Sequence, residues 1–320
     1  MKKWLLVLAA AAAAAHATAL RAETYPTRPI TLVNVFGAGS TSDTICRVLA
    51  DPLGAALKQP VIVEDRPGAN GALAALYVAR APADGHTLLM GTNSPLSAAP
   101  YLMKNVSYDA AKDFTPVTRV GSFTLMLVIN PSIPAKSMKE LIAYVKANPG
   151  KLSFASANTS GIVATETLKH WAGLDMVHVP YKAAPPALQD VIAGRVSMMF
   201  TDLTSGLPHV KSGALRALAV TRLKRSTLFP ELPTLDEAGV EGFDMDSWAG
   251  IVAPAHTPPE IVSRLNGELR KIIDDPAIKT KLKNVGFEAF SSTPDELGDY
   301  IKVQLGKWHK MVSDAGIQPE

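Results

Sequence analysis

The chain has 320 residues, with 32 Lys and Arg against 29 Asp and Glu, and a formal net charge of +3. The length fits one large or two medium domains, and the weak charge, spread without a basic run, excludes the surface typical of a nucleic-acid-binding protein. A hydrophobic fraction of 47% and a charged fraction of 19% indicate a globular protein with a sizeable core. The single cysteine, Cys46, excludes an intramolecular disulfide and a Cys-rich metal site, and we expect it to be buried as a small apolar residue.

The first residues have the pattern of a secretory signal peptide. A charged start at residues 1–3 precedes an apolar run at residues 4–15, and small residues follow at spacings that allow cleavage. This run is shorter than the ~20 apolar residues of a membrane-spanning helix. We therefore expect residues 1–22 to be a cleaved signal peptide and the protein to be exported rather than embedded in a membrane. The candidate cleavage positions follow Ala17, Ala19 and Ala22.

Cleavage after Ala22 changes the charge balance. Residues 1–22 contain three basic residues and no acidic one, so 29 basic residues remain against 29 acidic ones. The mature chain is then formally neutral. Any binding of an anion must therefore come from local groups rather than from the charge of the whole molecule.

From residue 30 onward, short β-rich runs alternate with amphipathic helical stretches, which is typical of an α/β protein with a parallel or mixed sheet. A βαβαβ unit is predicted at residues 30–90, a second α/β unit at 123–221, a last strand at 243–252, and helices only beyond Pro254. The apolar stripes of those last helices need a surface to cover. A helical tail that returns to the first unit would make two crossings between the units and leave a cleft between two lobes. Capping-box patterns predict helix starts at residues 137–140, 257–260 and 293–296.

The turn between the first predicted strand and the first predicted helix has the composition of an anion site. Its glycines allow a tight turn and close approach of the backbone, its hydroxyls can donate, and the amides of the helix start carry a partial positive charge. The residues of this turn are Phe36, Gly37, Ala38, Gly39, Ser40, Thr41, Ser42 and Asp43.

Other polar turns also follow predicted strands, and ligands of open α/β sheets bind beyond the carboxyl ends of strands. In the second unit, Asp202 ends a strand, where its carboxylate could either face the cleft or cap the next helix. Two helix N-termini on opposite sides of a cleft could hold a carboxylate without an arginine. The further candidate binding residues are Asn93, Ser94, Ser156, Ala157, Asn158, Thr159, Ser160, Gly161 and Asp202.

Enzymatic alternatives have weaker signals. Residues 37–42 nearly match a dinucleotide-binding fingerprint, with Glu64 and Asp65 near the position of a ribose-binding acid, but Ser42 replaces the third glycine. A nicotinamide-dependent dehydrogenase therefore stays as the alternative hypothesis. The seven histidines show no metal-ligand spacing and no nucleophile motif is present, so we predict neither a catalytic residue nor a metal or cofactor. His178 fits a core or rim position better than that of a catalytic base.

With these residues in view, the chain resembles the Bug-type extracytoplasmic solute receptors, which are the periplasmic components of tripartite tricarboxylate transporters. The resemblance extends over nearly the whole mature chain, from residues 25–30 to residues 315–320. It depends on several ordered motifs, at residues 65–71, 83–92, 178–182, 215–221 and 247–248.

The resemblance implies a two-lobed type II periplasmic-binding-protein fold with a hinge, and a small organic acid held largely by backbone amides and bridging waters. It assigns residues 23–124 and 248–320 to lobe 1 and residues 125–247 to lobe 2. It also implies membrane subunits of a transporter as partners, and we expect a monomer that binds no nucleic acid. The family pattern Pro-Phe-x-Pro-Gly-Gly-x-x-Asp stands here as residues 35–43 without both prolines and the second glycine. The corresponding turn of lobe 2 is about two residues shorter than usual and lacks its Gly-rich core.

Overall fold

The computed structural model describes residues 25–181 and 184–319, so the predicted signal peptide lies outside the described residues. The eleven strands form two sheets, one of six and one of five strands. In chain order they are β1 (Ile30–Asn34), β2 (Val61–Asp65), β3 (Thr87–Thr92), β4 (Phe114–Phe123), β5 (Leu125–Ile129), β6 (Ser153–Ser156), β7 (Val177–Pro180), β8 (Met198–Asp202), β9 (Arg216–Val220), β10 (Ser247–Pro254) and β11 (Phe287–Ala289).

The helices cover both faces of each sheet. In chain order they are α1 (Thr41–Leu57), α2 (Ala72–Ala79), α3 (Ala99–Leu102), α4 (Met138–Ala147), α5 (Thr159–Ala172), α6 (Ala184–Ile192), α7 (Leu203–Lys211), α8 (Pro259–Asp274), α9 (Pro276–Asn284) and α10 (Pro294–Asp314). A π-helical turn, Ser94–Ala98, precedes α3.

Lobe 1 contains the sheet with the strand order β11-β4-β10-β3-β1-β2, and lobe 2 contains the sheet with the order β7-β6-β8-β5-β9. In lobe 1, β1 is parallel to both β2 and β3, while in lobe 2, β6 is parallel to both β7 and β8. The chain leaves lobe 1 between β4 and β5 and returns along β10. The predicted two-lobed α/β fold with two crossings is therefore confirmed. The exact lobe boundaries, residues 124/125 and 247/248, stay a prediction.

All three helices predicted from capping boxes begin within the predicted residues, but one of the three boxes does not form. The box at Thr293 and Glu296 is complete, since each side chain accepts a hydrogen bond from the other residue's backbone amide. At Ser137 the hydroxyl accepts from the Glu140 amide as expected. Before α8, however, the Thr257 hydroxyl donates to the Pro254 carbonyl, and no side chain caps the helix.

The strand predictions also need correction. The last long strand begins at Ser247 rather than at residue 243, and residues beyond Pro254 include a strand, β11, in addition to helices. The ten-residue strand β4 was missed as well. Since β11 has three residues and pairs only with β4, its formation depends on tertiary contacts that no local pattern reports.

The C-terminal helix α10 contacts both lobes with one face. Leu297 and Ile301 pack in a lobe 1 cluster with Val33 and Trp248. Three turns later, Trp308 and Val312 join a buried cluster of lobe 2 whose other members include Phe154, Val163 and Leu168. The helical tail thus covers lobe 1, as expected, and continues onto lobe 2.

Charged side chains bridge the lobes at the two crossings. Glu288 on β11 accepts a hydrogen bond from Arg222 at 2.9 Å and from the Ser226 hydroxyl at 2.7 Å, both in the segment that follows β9. Arg119 on β4 lies 3.3 Å from Asp246, which immediately precedes β10. Burial and the neighbouring carboxylate of Asp246 raise the pKa of Tyr300, whose hydroxyl donates to that carboxylate at 2.7 Å.

Candidate ligand-binding site

The turn from β1 to α1 is built by its own polar side chains. The Ser40 hydroxyl caps α1 by accepting from the Asp43 amide, while an Asp43 carboxylate oxygen accepts from the Gly39 amide at 2.8 Å. Gly39 has φ +78°, a conformation that glycine adopts without strain. The amides of Thr41 and Ser42, in the first turn, have no partner within the helix by geometry. They remain available for an acceptor outside it.

Asp43 is buried within this turn. It is only 4% exposed, and its second oxygen lies 2.8 Å from the Arg47 guanidinium. Hydrogen bonding to Asp43 raises the pKa of Arg47 above its ordinary value. Asp43 therefore helps to fix the turn, and its contact with a ligand stays a prediction.

The acid at the end of β2 is also engaged. Asp65 accepts a hydrogen bond from the Asn34 amide at 2.8 Å, and Arg47 lies 3.5 Å from its other oxygen. Glu64 is paired with Arg66. Neither carboxylate is thus free to bind a ribose hydroxyl, which removes the feature that had favoured a dinucleotide site.

Three turns of lobe 1 meet at one place. Gly71 has φ +87°, and a side-chain carbon there would lie 3.0 Å from Val35 Cβ and 3.3 Å from Pro95 Cδ. The turns after β1, β2 and β3 are therefore packed together, as expected for the carboxyl ends of parallel neighbours.

The corresponding turn of lobe 2 begins at Ser156 and ends in α5. Asn158 caps α5 by accepting from the Gly161 amide at 2.8 Å. Ser156 is buried, and its hydroxyl lies 2.6 Å from His178 Nε2, whose ring stacks on Phe154. His178 therefore occupies a rim position that supports the turn. Ala157 and Asn158 are half-buried at its surface.

The two lobes touch through Asn93. Its side-chain nitrogen donates to the Ser160 hydroxyl oxygen across the cleft at 2.8 Å, and its oxygen accepts from the Ser247 hydroxyl at 2.8 Å. All three residues are less than 9% exposed. Ser94 is buried beside this contact. Sequence reasoning missed Ser247, because the partner of Asn93 lies 154 residues away and only the register of β3 with β10 brings the two together.

Asp202 takes the capping role that the sequence had left open. Its carboxylate accepts from the Ser205 amide at 2.8 Å and from the Ser205 hydroxyl at 3.2 Å, at the start of α7. We therefore expect a smaller contribution from Asp202 to ligand binding than from the turns at 36–42 and 156–161.

The electrostatics of the site come from dipoles rather than from charged side chains. Residues 36–43, 93–94 and 156–161 contain no Lys or Arg. Thr92 and Thr159 are buried, and within the described ranges their hydroxyls have no hydrogen-bond partner. An unpaired buried hydroxyl costs about 1–3 kcal/mol.

Two features concern metal binding and membrane spanning: the arrangement of ligand-type side chains, and the length and polarity of the helices. Across residues 25–181 and 184–319, no group of three or more His, Cys, Asp or Glu side chains is arranged to hold a metal ion. Over the same part of the chain, every helix is too short or too polar to span a membrane.

Comparison with known proteins identifies the family. The model of the tripartite tricarboxylate transporter family receptors matches residues 45–317. The chain belongs to this family. Protein BugT of Bordetella pertussis (strain Tohama I) is 35% identical over 308 residues, which cover 95% of this chain and 94% of BugT. The family consists of receptors rather than enzymes, and the predicted resemblance to Bug-type receptors is confirmed.

Two solved structures from the same family show the fold with a ligand. Rpa4515 of R. palustris with adipate superposes with a TM-score of 0.86 at 34% identity, covering 92% of this chain and all of that one. MatC (Rpa3494) of Rhodopseudomonas palustris with bound malate superposes with a TM-score of 0.80 at 30% identity, covering 90% of this chain and all of that one. The fold is thus that of the two-lobed periplasmic receptors.

Proposed function

We propose that this protein is a periplasmic receptor that captures a small organic carboxylate between its lobes and presents it to the membrane subunits of a tripartite transporter. The observation that carries the proposal is the contact of two polar, strand-following turns across the cleft, joined by Asn93 and Ser160. The lobe 2 turn ends in the N-terminus of α5, and the turn after β1, which packs beside the turn that holds Asn93, ends in the N-terminus of α1. At both helix starts the helix dipole and unpaired amides favour an anion.

The ligand is held by neutral donors. Since the candidate turns have no Lys or Arg, the binding energy comes from backbone amides, from hydroxyls such as those of Ser40 and Thr41, and from the ends of the helix dipoles. Hydrogen bonds to a charged acceptor are worth about 1.5–3 kcal/mol each, so a few of them suffice for micromolar affinity. Affinity then depends on how much better the closed state binds than the open state.

The relatives support a carboxylate as the ligand. One solved family structure holds adipate and another holds malate. The turn at residues 35–43 lacks the two prolines and the second glycine of the usual pattern, so we expect a ligand preference different from that of either relative. The dehydrogenase hypothesis has no support, because Asp65 is bound to Asn34 and Arg47.

A ligand screen on the mature protein tests the proposal. Thermal unfolding is followed with di- and tricarboxylates, aromatic acids, their uncharged amides and nucleotides. A ligand present at 100 times its dissociation constant stabilises the folded state by about 2.7 kcal/mol. We expect stabilisation by one or more carboxylates and none by the matching amides. Stabilisation by nucleotides alone, or turnover of a bound acid, would contradict the proposal.

A further inference from the structure

The hydrogen bonds around Asn93 form a chain in which each donor points the same way, from Ser247 through Asn93 to Ser160. The Ser247 hydroxyl donates to the Asn93 side-chain oxygen, and the Asn93 side-chain nitrogen donates to the Ser160 oxygen, both over 2.8 Å. Because Ser160 accepts from Asn93, its own hydroxyl proton is left to donate elsewhere. The chain therefore ends in a donor.

The chain also joins three parts of the fold. Asn93 directly follows β3 and Ser247 begins β10, and the two strands are antiparallel neighbours in the sheet of lobe 1. By this pairing Ser247 belongs with lobe 1, one residue before the predicted boundary at 247/248. Ser160 lies in the first turn of α5 in lobe 2. The bond from Ser247 fixes which end of the Asn93 amide faces lobe 2. Only the bond from Asn93 to Ser160 crosses the cleft, so opening the lobes breaks that bond and leaves the one to Ser247 intact.

We propose that Asn93 is a positioning residue that couples lobe closure to anion recognition, by holding the lobes together and orienting the Ser160 hydroxyl as a donor to the ligand. The second half of this statement rests on the proposed carboxylate-binding function. The first half does not, because it depends only on the hydrogen bond between Asn93 and Ser160. Hydrogen bonds in such a chain polarise one another, which strengthens the final donor.

The proposed coupling explains why the residue between Ser247 and Ser160 carries an amide side chain. Asparagine presents an acceptor to Ser247 and a donor to Ser160 at the same time, whereas an aspartate presents acceptors only. With aspartate at position 93, Ser160 would donate into the carboxylate and keep the lobes together. Its hydroxyl proton would then no longer be available to a ligand anion.

Distance measurements between the lobes test whether Asn93 holds them together. Spin labels are placed at Leu73→Cys in lobe 1 and Val177→Cys in lobe 2, both exposed, while the fully buried Cys46 stays unlabelled. Without ligand, we expect wild type to show a short-distance population that Asn93→Ala strongly reduces and Asn93→Asp retains. Asn130→Ala is the matched control, because Asn130 is a buried asparagine whose amide bonds stay within lobe 2. It should leave the distances unchanged.

Binding measurements test the direction of the chain. The probes are adipate and malate, measured by calorimetry against each variant. We expect Asn93→Ala to weaken the affinity for whichever probe wild type binds by about tenfold, the scale of one buried hydrogen bond. Asn93→Asp should weaken that affinity at least as much although the lobes still close, and Ser247→Ala should have an intermediate effect.

The outcomes separate the two claims. The claim that Asn93 holds the lobes together is overturned if unliganded wild type has no short-distance population, or if Asn93→Ala leaves that population unchanged. This holds whether or not adipate and malate bind. Undiminished affinity in Asn93→Asp overturns the role in donor orientation. If wild type binds no carboxylate at all, the proposed function fails, while the distances without ligand still decide whether Asn93 joins the lobes.

Discussion

At the scale of single residues, the two aspartates of the candidate site have the same function on opposite lobes. Asp43 and Asp202 both accept hydrogen bonds from backbone amides at a helix start and so shape the turn. The sequence placed both residues correctly after a strand. It could not assign their partners, because an aspartate in a turn has the same pattern whether its carboxylate points toward the chain or toward the cleft.

Removing the Asp43 carboxylate should lower stability and loosen the ligand turn. In Asp43→Ala, the Gly39 amide and the Arg47 guanidinium lose their acceptor, and we expect the free energy of unfolding to fall by about 1–3 kcal/mol. Urea denaturation measures the change. Asp51→Ala is the control, since Asp51 lies exposed on the same helix and should alter stability by no more than about 0.5 kcal/mol. Equal effects of the two substitutions would argue against the role given to Asp43.

At the scale of elements, local signals predicted what depends on neighbouring residues in sequence. Helix starts with a cap and a following apolar stripe, such as those of α4 and α10, were found because cap and stripe both lie within one segment. The strand β4 was missed because Pro116, Arg119 and Gly121 interrupt its apolar pattern. Its strand conformation is imposed from outside, by pairing with β10 and β11.

The sequence predicts an apolar stripe on α10 at Tyr300, Val303, Trp308 and Met311, and this prediction is correct in part. Trp308 is fully buried, whereas Val303 of the same predicted stripe is 56% exposed. The buried face instead runs through Leu297, Ile301 and Trp308, and its far end lies on lobe 2. A sequence pattern shows that a helix has an apolar face, but it does not show that this face packs against both lobes.

The packing of Trp308 predicts a large effect of its truncation. Trp308→Ala should lower the free energy of unfolding by about 3–5 kcal/mol, because it leaves a cavity in the lobe 2 cluster. Trp171→Ala serves as the comparison: Trp171 is 38% exposed, and the loss should be clearly smaller. Chemical denaturation followed by circular dichroism measures both. A small effect at Trp308 would show that the end of α10 is not an integral part of lobe 2 packing.

At the scale of the whole molecule, two sets of contacts determine how the lobes are joined. One is at the cleft, where Asn93 meets Ser160, and the other is at the crossings, where Glu288 meets Arg222. The sequence predicted two lobes and two crossings from the alternation of strands and helices. It gave no information on these contacts, because each joins residues more than 60 positions apart.

The contact between Glu288 and Arg222 at the crossing should contribute far more to the free energy of unfolding than a surface ion pair does. In Glu288→Gln, the half-buried Arg222 loses the charge of its 2.9 Å partner, and we expect a loss of about 1–3 kcal/mol in the free energy of unfolding. Glu268→Gln removes an exposed pair with Lys271 and should cost no more than about 0.5 kcal/mol. Urea denaturation distinguishes the two. Comparable losses would show that the crossing is solvated like a surface.

The predicted neutrality of the mature chain bears on how salt affects ligand capture. With no Lys or Arg in the candidate turns, no long-range field attracts the ligand, and attraction begins only within reach of the helix ends. Salt shortens the Debye length from about 30 Å at 0.01 M to about 3 Å at 1 M, yet it has little here to screen. We expect the association rate of adipate, or of whichever carboxylate the screen identifies, to change by less than about twofold over this range in stopped-flow fluorescence.

Ala38→Lys places a charge on the exposed tip of the β1–α1 turn, and this variant should bind faster at low salt and slow down as salt is added. A steep fall in the wild-type rate would show that charged side chains outside the turns steer the ligand.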